Sequence, residues 1–117
     1  MISTVLAPFH DDHFGQSVGI SNGRLAIGAP GHQTNRGIAY IYEFQGAWTP
    51  VATISSSQVD QQVGAAVAID GDYAFIGAPG TDTANNTDSG LVSIQRRSAG
   101  GSWSPVQTVA DTEFSGF

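Results

Sequence analysis

The residues best equipped for chemistry stand near the start of the chain. Gly15-Gln16-Ser17-Val18-Gly19 has the Gly-x-Ser-x-Gly spacing of a nucleophile elbow, and His10, Asp11 and His13 lie close enough in sequence to serve as base and orienting acid. His10-Asp11-Asp12-His13 also sets two imidazoles three residues apart around two carboxylates, a donor set suited to a divalent metal. Further on, the run 81–89 (TDTANNTDS) carries alternating oxygen side chains, and Asp82, Asn86 and Asp88 are its candidate metal ligands. Within it Asn85-Asn86-Thr87 is a glycosylation acceptor in a eukaryotic secretory setting. Arg96-Arg97 could read a carboxylate.

Which of these can act depends on the elements that carry them, and those elements emerge when the chain is aligned with itself. The stretch 14–30 (FGQSVGISNGRLAIGAP) returns as 63–79 (VGAAVAIDGDYAFIGAP) without a gap, 49 residues later. Asn22-Gly23 and Asp70-Gly71, both hairpin-turn dipeptides, fall between the same apolar runs but are 48 apart, one residue out of register. Gly37–Phe44 matches Gly90–Arg97, and Trp48–Ile54 (WTPVATI) matches Trp103–Val109 (WSPVQTV). The growing offset falls in turn-rich connections, where length changes are tolerated.

Each unit reads as four short strands: 14–21, 24–29, 37–44 and 48–54, then 63–69, 73–78, 90–96 and 103–109. The alternation of Ile38, Tyr40, Tyr42 and Phe44 has the period of a strand, and helix is nearly absent. This placement disposes of the elbow. Ser17 lies inside a strand rather than between a strand and a helix, and its repeat partner is Ala66. The repeat partners of His10–His13 lack both histidines, so that segment reads as a solvated connection, and Asp11, Asp60 and Asp111 read as turn residues. The run 81–89 follows no established ligand spacing and reads as a polar loop. Arg96 and Arg97 end a strand, one directed outward and one toward a neighbouring blade, and read as a salt bridge or a solvated edge.

Composition narrows the rest. The 117 residues (12.1 kDa) allow a single domain, with ten acidic residues against four arginines, net charge −6 and pI near 4.5. The chain has no lysine and no cysteine, which removes Schiff-base chemistry, thiol nucleophiles, disulfides and cysteine-bound metals. An acidic surface repels phosphates, so nucleic acid is not expected as a partner. No apolar run reaches the roughly 20 residues of a membrane helix. No basic-then-apolar signal opens the chain, so an exported form is expected to have lost its signal or to carry it upstream.

The Phe14-Gly15 and Gly28-Ala29-Pro30 pair, its return as Val63-Gly64 and Gly77-Ala78-Pro79, the third-strand glycine and the Trp-x-Pro-Val segment recur in order. Together they resemble the FG-GAP repeat, the blade unit of β-propellers such as the integrin α-chain head. The second unit departs in having Val63 for phenylalanine. The resemblance implies an all-β fold of two four-stranded antiparallel blades with partial blades at both ends. Residues 1–12 end a preceding blade, 13–58 form blade one, 59–110 blade two, and 111–117 begin a third. Ile2–Val5 would be a fourth strand, and Asp111–Ser115 a new start. Gly15 and Gly64 would let the innermost strand crowd the propeller axis, and Phe14, Phe75, Trp48, Trp103, Tyr40 and Tyr42 would be packing residues. Calcium-binding FG-GAP units hold the ion in a long Asp-rich loop between strands one and two. Here that loop is only Ser21-Asn22-Gly23 or Asp70-Gly71-Asp72, too short for the roughly six to eight oxygens calcium takes, so no cofactor is expected.

The function implied is non-catalytic: an extracellular or cell-surface adhesion-type module that binds a protein or a glycan, with Trp48 and Trp103 the available glycan platforms. Since propellers close with roughly four to eight blades, two units would be a piece of a longer ring or would self-associate into a ring or appendage. A further alternative makes the chain part of a larger propeller hydrolase with its catalytic residues elsewhere.

Overall fold

The computed structural model describes residues 13–55, 60–80 and 90–110. These form two four-stranded antiparallel sheets, each a meander in chain order. The first contains β1 (Ser17–Ser21), β2 (Arg24–Ala29), β3 (Ile38–Phe44) and β4 (Trp48–Ser55), with a single helical turn, α1 (His32–Asn35), between β2 and β3. The second contains β5 (Ala66–Asp70), β6 (Tyr73–Ala78), β7 (Leu91–Arg97) and β8 (Trp103–Ala110). Eight strands thus stand where the repeat places them, in the arrangement of propeller blades. Ile2–Val5, His10–Asp12, the run 81–89 with Asp82, Asn86 and Asp88, and Asp111–Ser115 lie outside the described residues.

The first strand of each unit begins three residues later than the sequence pattern predicts, because the Phe-Gly pair belongs to a turn. Gln16 N–H donates to the His13 carbonyl (3.0 Å) and Ala65 N–H to that of Gln62 (3.1 Å). Gly15 and Gly64, third in these turns, have φ of +91° and +90°, the conformation a type II turn requires at that place. Turn geometry is therefore the common demand for these glycines, and close approach is added to it at only one of them. A Cβ at Gly15 would meet nothing within 4 Å, whereas one at Gly64 would lie 2.7 Å from the Ile38 carbonyl of the first sheet.

The apparent slip in hairpin register also resolves. Ser21 pairs with Arg24 and Asp70 with Tyr73, so the two-residue loops are Asn22-Gly23 and Gly71-Asp72, 49 residues apart like the rest of the repeat. Asn22 and Gly23 both have positive φ, as in a type I′ turn; in the second unit only Gly71 does, as in a type II′ turn. The recurring Trp-x-Pro-Val has a similar explanation. Tyr42 pairs with Pro50 and Ile41 with Ala52, leaving Val51 as an extra residue, and Val106 is left over in the same way after Pro105. Proline has no N–H for the ladder and is accommodated beside a bulge on the last strand of each sheet.

Strand alternation gives the first sheet two different faces. Ile27, Ala29, Ile38, Tyr40 and Tyr42 form one buried cluster, with Phe14, Leu25 and Trp48 packed against it. The rings of Phe14 and Tyr40 meet edge to face at 5.4 Å. On the opposite face Ala26, Ala39 and Ile41 pack against Val63, Ile69, Ala74, Ile76 and Ala78 of the second unit, with Trp103 at the margin. Tyr40, Tyr42, Phe14, Trp48 and Trp103 are packing residues as expected. Phe75 is not: it is 36% exposed, because it pairs with Ile94 on the face of the second sheet turned away from the first.

The two sheets approach most closely at glycines. A Cβ at Gly28 would overlap the Gly64 carbonyl, and one at Gly37 would overlap the backbone of Val63. At the repeat equivalent of Gly28, Gly77, the nearest atom to such a Cβ is the Ala66 carbonyl oxygen at 3.4 Å. Gly28→Ala is therefore expected to destabilise by about 3 kcal/mol, since rigid backbone must move. Gly77→Ala should change stability by less than about 1 kcal/mol, because ordinary contact and the lost chain entropy of glycine nearly offset. Urea unfolding of both variants checks the contrast.

Candidate functional site

The junction between the units is built from main chain. Gln62 N–H donates to the Asn35 carbonyl (2.7 Å) and Val63 N–H to that of Arg36 (2.9 Å), so the entry to the second unit runs alongside Gly37 as a short parallel bridge. Next to it the Ser17 hydroxyl donates to the Gly64 carbonyl at 2.8 Å. This is the fate of the nucleophile-like serine: it sits in β1, partly buried, and its proton is directed at a carbonyl of the next unit. Among the described residues no hydrogen bond joins it to His13, which is exposed.

At one end of the sheets a charge network spans the junction. Arg24 and Glu43 are cross-strand partners on β2 and β3, their side chains 3.5 Å apart. Arg24 Nη1 also donates to Asp72 Oδ1 (2.9 Å) and to the Gly71 carbonyl (2.8 Å), while Arg97 Nε donates to Glu43 Oε2 (2.8 Å). Gly71 N–H completes the set by donating to Ser21 Oγ (3.0 Å). Arg97 turns toward the neighbouring sheet and Arg96 toward solvent, the division that strand alternation implies. The hydrogen bond from Arg97 holds the Glu43 carboxyl below the usual glutamate range, with the charges of Arg97 and Arg24 acting the same way against partial desolvation. Hydrogen bonding to Glu43 likewise raises Arg97. Asp72, the only carboxylate in either two-residue hairpin loop, is therefore engaged by an arginine.

At the opposite end, where β2 stops at Ala29 and β3 begins, the junction opens into a cleft of about 300 Å³. His13, Gln16, Asn35 and Gln62 supply its polar rim, and Pro30, Gly31 and Ala65 its apolar part. No carboxylate, lysine or arginine among the described residues lines it. Among the described residues, no hydrogen bond uses the side-chain amides of Gln16, Asn35 or Gln62, all of which are exposed. The sequence carried no local sign of this group, because its members are spread over three segments, before β1, between β2 and β3 and between β4 and β5, and meet only when the second unit docks. Trp48 and Trp103 begin their strands at the charged end, about seven residues or roughly 20 Å of strand away, so they do not contribute to the cleft.

The candidate ligands Asp82, Asn86 and Asp88 are outside the described residues. Among those described, no group of three or more histidine, aspartate or glutamate side chains is arranged to hold a metal, and no helix is long and apolar enough to cross a membrane.

The Glu43 network sets a sign for acid behaviour. A carboxyl whose folded value is lowered stabilises the fold above its unfolded value and loses that contribution as pH falls through the folded one, so the loss begins below about pH 4.3. Glu43→Gln should lower Tm at pH 7 and flatten the acid limb of a Tm-against-pH curve. Thermal melts from pH 7 to pH 3 provide the check.

A family described as FG-GAP repeat matches residues 10–42 and 48–94, more than half of the chain. No curated relative matches it. The matched segments contain the Phe-Gly and Val-Gly turns, both Gly-Ala-Pro strand ends and the two third-strand glycines, of which Gly37 stands at the junction. On sequence and architecture together, this chain belongs to the FG-GAP repeat family, with the four-stranded units of a β-propeller-type domain.

Proposed function

We propose that the chain is a non-catalytic binding module of an extracellular or cell-surface protein, using the connections at one end of its sheets to hold a protein or glycan ligand in an adhesion-type role. The observation that carries this reading is the polar cleft at the mouth of the junction. Its rim consists of exposed side chains that make no hydrogen bond among the described residues, mounted on backbone that hydrogen bonds hold in place. FG-GAP repeats typically occur in extracellular proteins, which supports the location. The use of Ser17 as a donor to Gly64 supports a structural rather than nucleophilic serine.

A second reading, self-association, draws on a different surface. Tyr73, Phe75 and Val92 are 43%, 36% and 37% exposed, and all three lie on the outward face of the second sheet. A copy of the same chain could cover that face. Light scattering at two concentrations separates the readings: a defined oligomer supports assembly, and a monomer at both concentrations removes it.

The leading reading is tested by surface binding of the full chain to panels of glycans and extracellular matrix proteins, beside ester and glycoside hydrolysis assays. Saturable binding without turnover is the expected result. Turnover abolished by Ser17→Ala would overturn it, since Ser17→Ala is expected to lower stability by about 1 kcal/mol and nothing else.

A further inference from the structure

Three of the six non-glycine residues with positive φ among the described residues converge on the same cleft: His13 (+59°), Asn35 (+60°) and Gln62 (+59°). His13 and Gln62 occupy equivalent places before the Phe-Gly and Val-Gly turns, so the repeat backbone itself demands a left-handed conformation there. Glycine meets that demand without strain, and a glutamine does not. The Gln62 side chain is exposed, so packing gives no reason to keep it. Backbone strain of this kind clusters at active sites, ligand clamps and switch regions.

The rim is also preorganised. The Gln62 backbone is tied to Asn35, Ala65 to Gln62, and Gln16 to His13. The side-chain amides of Gln16, Asn35 and Gln62 therefore project from fixed positions around one opening, each offering two donors and an acceptor.

We propose that this cleft binds a neutral saccharide of one or two sugar units, with hydroxyls held by Gln16, Asn35 and Gln62. The inference rests on the binding-module reading and names the ligand class for its site. A hydroxyl both donates and accepts, as a carboxamide does, so a polyol satisfies these amides in either orientation. Among the described residues the cleft offers a charged ligand no carboxylate, lysine or arginine, and an apolar ligand would strand the amides from water. A protein partner is less well matched, because among the described residues the cleft has no tryptophan, tyrosine or arginine anchor of the kind that dominates such contacts. A cleft of about 300 Å³ suits a small ligand, and Pro30 and Gly31 offer a nonpolar floor for the C–H face of a ring.

The test is a set of amide correlation spectra of the full chain titrated with glucose, galactose, N-acetylglucosamine and maltose, with glucuronate as the charged comparison. At least one neutral sugar should give saturable shifts centred on Gln16, Gly31 and Gln62. Gln16→Ala should weaken that binding about ten-fold. Gln62→Gly should weaken it to a similar degree while raising Tm by a few degrees, a combination that a purely structural glutamine does not produce. Shifts confined to other surfaces would overturn the cleft assignment and leave the binding-module reading standing, as would binding only in the matrix-protein panel. Silence toward every sugar and every protein would remove both. A lower Tm for Gln62→Gly would refute the strain argument.

Discussion

The arrangement depends on two carbonyl-to-glycine contacts at the junction of the units. Where the Gly64 carbonyl rests on Gly28 and the Val63 backbone on Gly37, main chain meets main chain with no side chain between. That proximity lets Ser17 reach the Gly64 carbonyl and lets Gln62 and Val63 hydrogen-bond to Asn35, the last residue of α1, and to Arg36 after it. It also sets the sheet separation into which Ala26 and Ala39 fit opposite Ile69 and Ile76. A methyl group at either glycine would interfere with the hydrogen bonds and the packing together, because both require the same short distance.

The junction has opposite chemistry at its two ends. Around Arg24, Glu43, Asp72 and Arg97, each charge has a partner on the other unit, so the electrostatics are used internally and align the sheets. Around Gln16, Asn35 and Gln62 the backbone bonds are made between units while the side chains stay free of hydrogen bonds among the described residues. The first end behaves as a fastening, with its ionisable groups satisfied. The second behaves as a mounted set of polar groups facing solvent. A binding surface needs the second kind of end, and a stable repeat needs the first.

Much of the fold was legible in the sequence because each strand and turn is encoded locally. The 49-residue return of Phe-Gly and Gly-Ala-Pro, the alternation through Tyr40 and Tyr42, and the recurring Trp-x-Pro-Val place all eight strands. Where reading by eye fell short, local backbone geometry intervened. Asp70-Gly71 resembles a turn dipeptide, but pairing of Asp70 with Tyr73 moves the turn one residue onward. The Phe-Gly pair looks like a strand start, yet the hydrogen bond from Gln16 to His13 closes it into a turn. The aromatic ring of Phe75 by itself suggests packing. Its position on β6 directs it outward, where Ala26 of the first unit faces the second sheet.

By itself the sequence determined the all-β class, the two units, their strand order and the exclusion of thiol and lysine chemistry, because these follow from residue type and short-range periodicity. It also anticipated that one of Arg96 and Arg97 would turn inward, since alternation is a property of any strand. Only the tertiary structure decided that Arg97 meets Glu43, that Ser17 serves Gly64, and that Gln16, Asn35 and Gln62 surround one cleft. These residues stand from 19 to 54 positions apart and have no periodic relation to one another. Their meeting depends on how closely two sheets can stack, and that distance follows from missing side chains at Gly28 and Gly37, whose consequence appears only when the opposing backbone is in place.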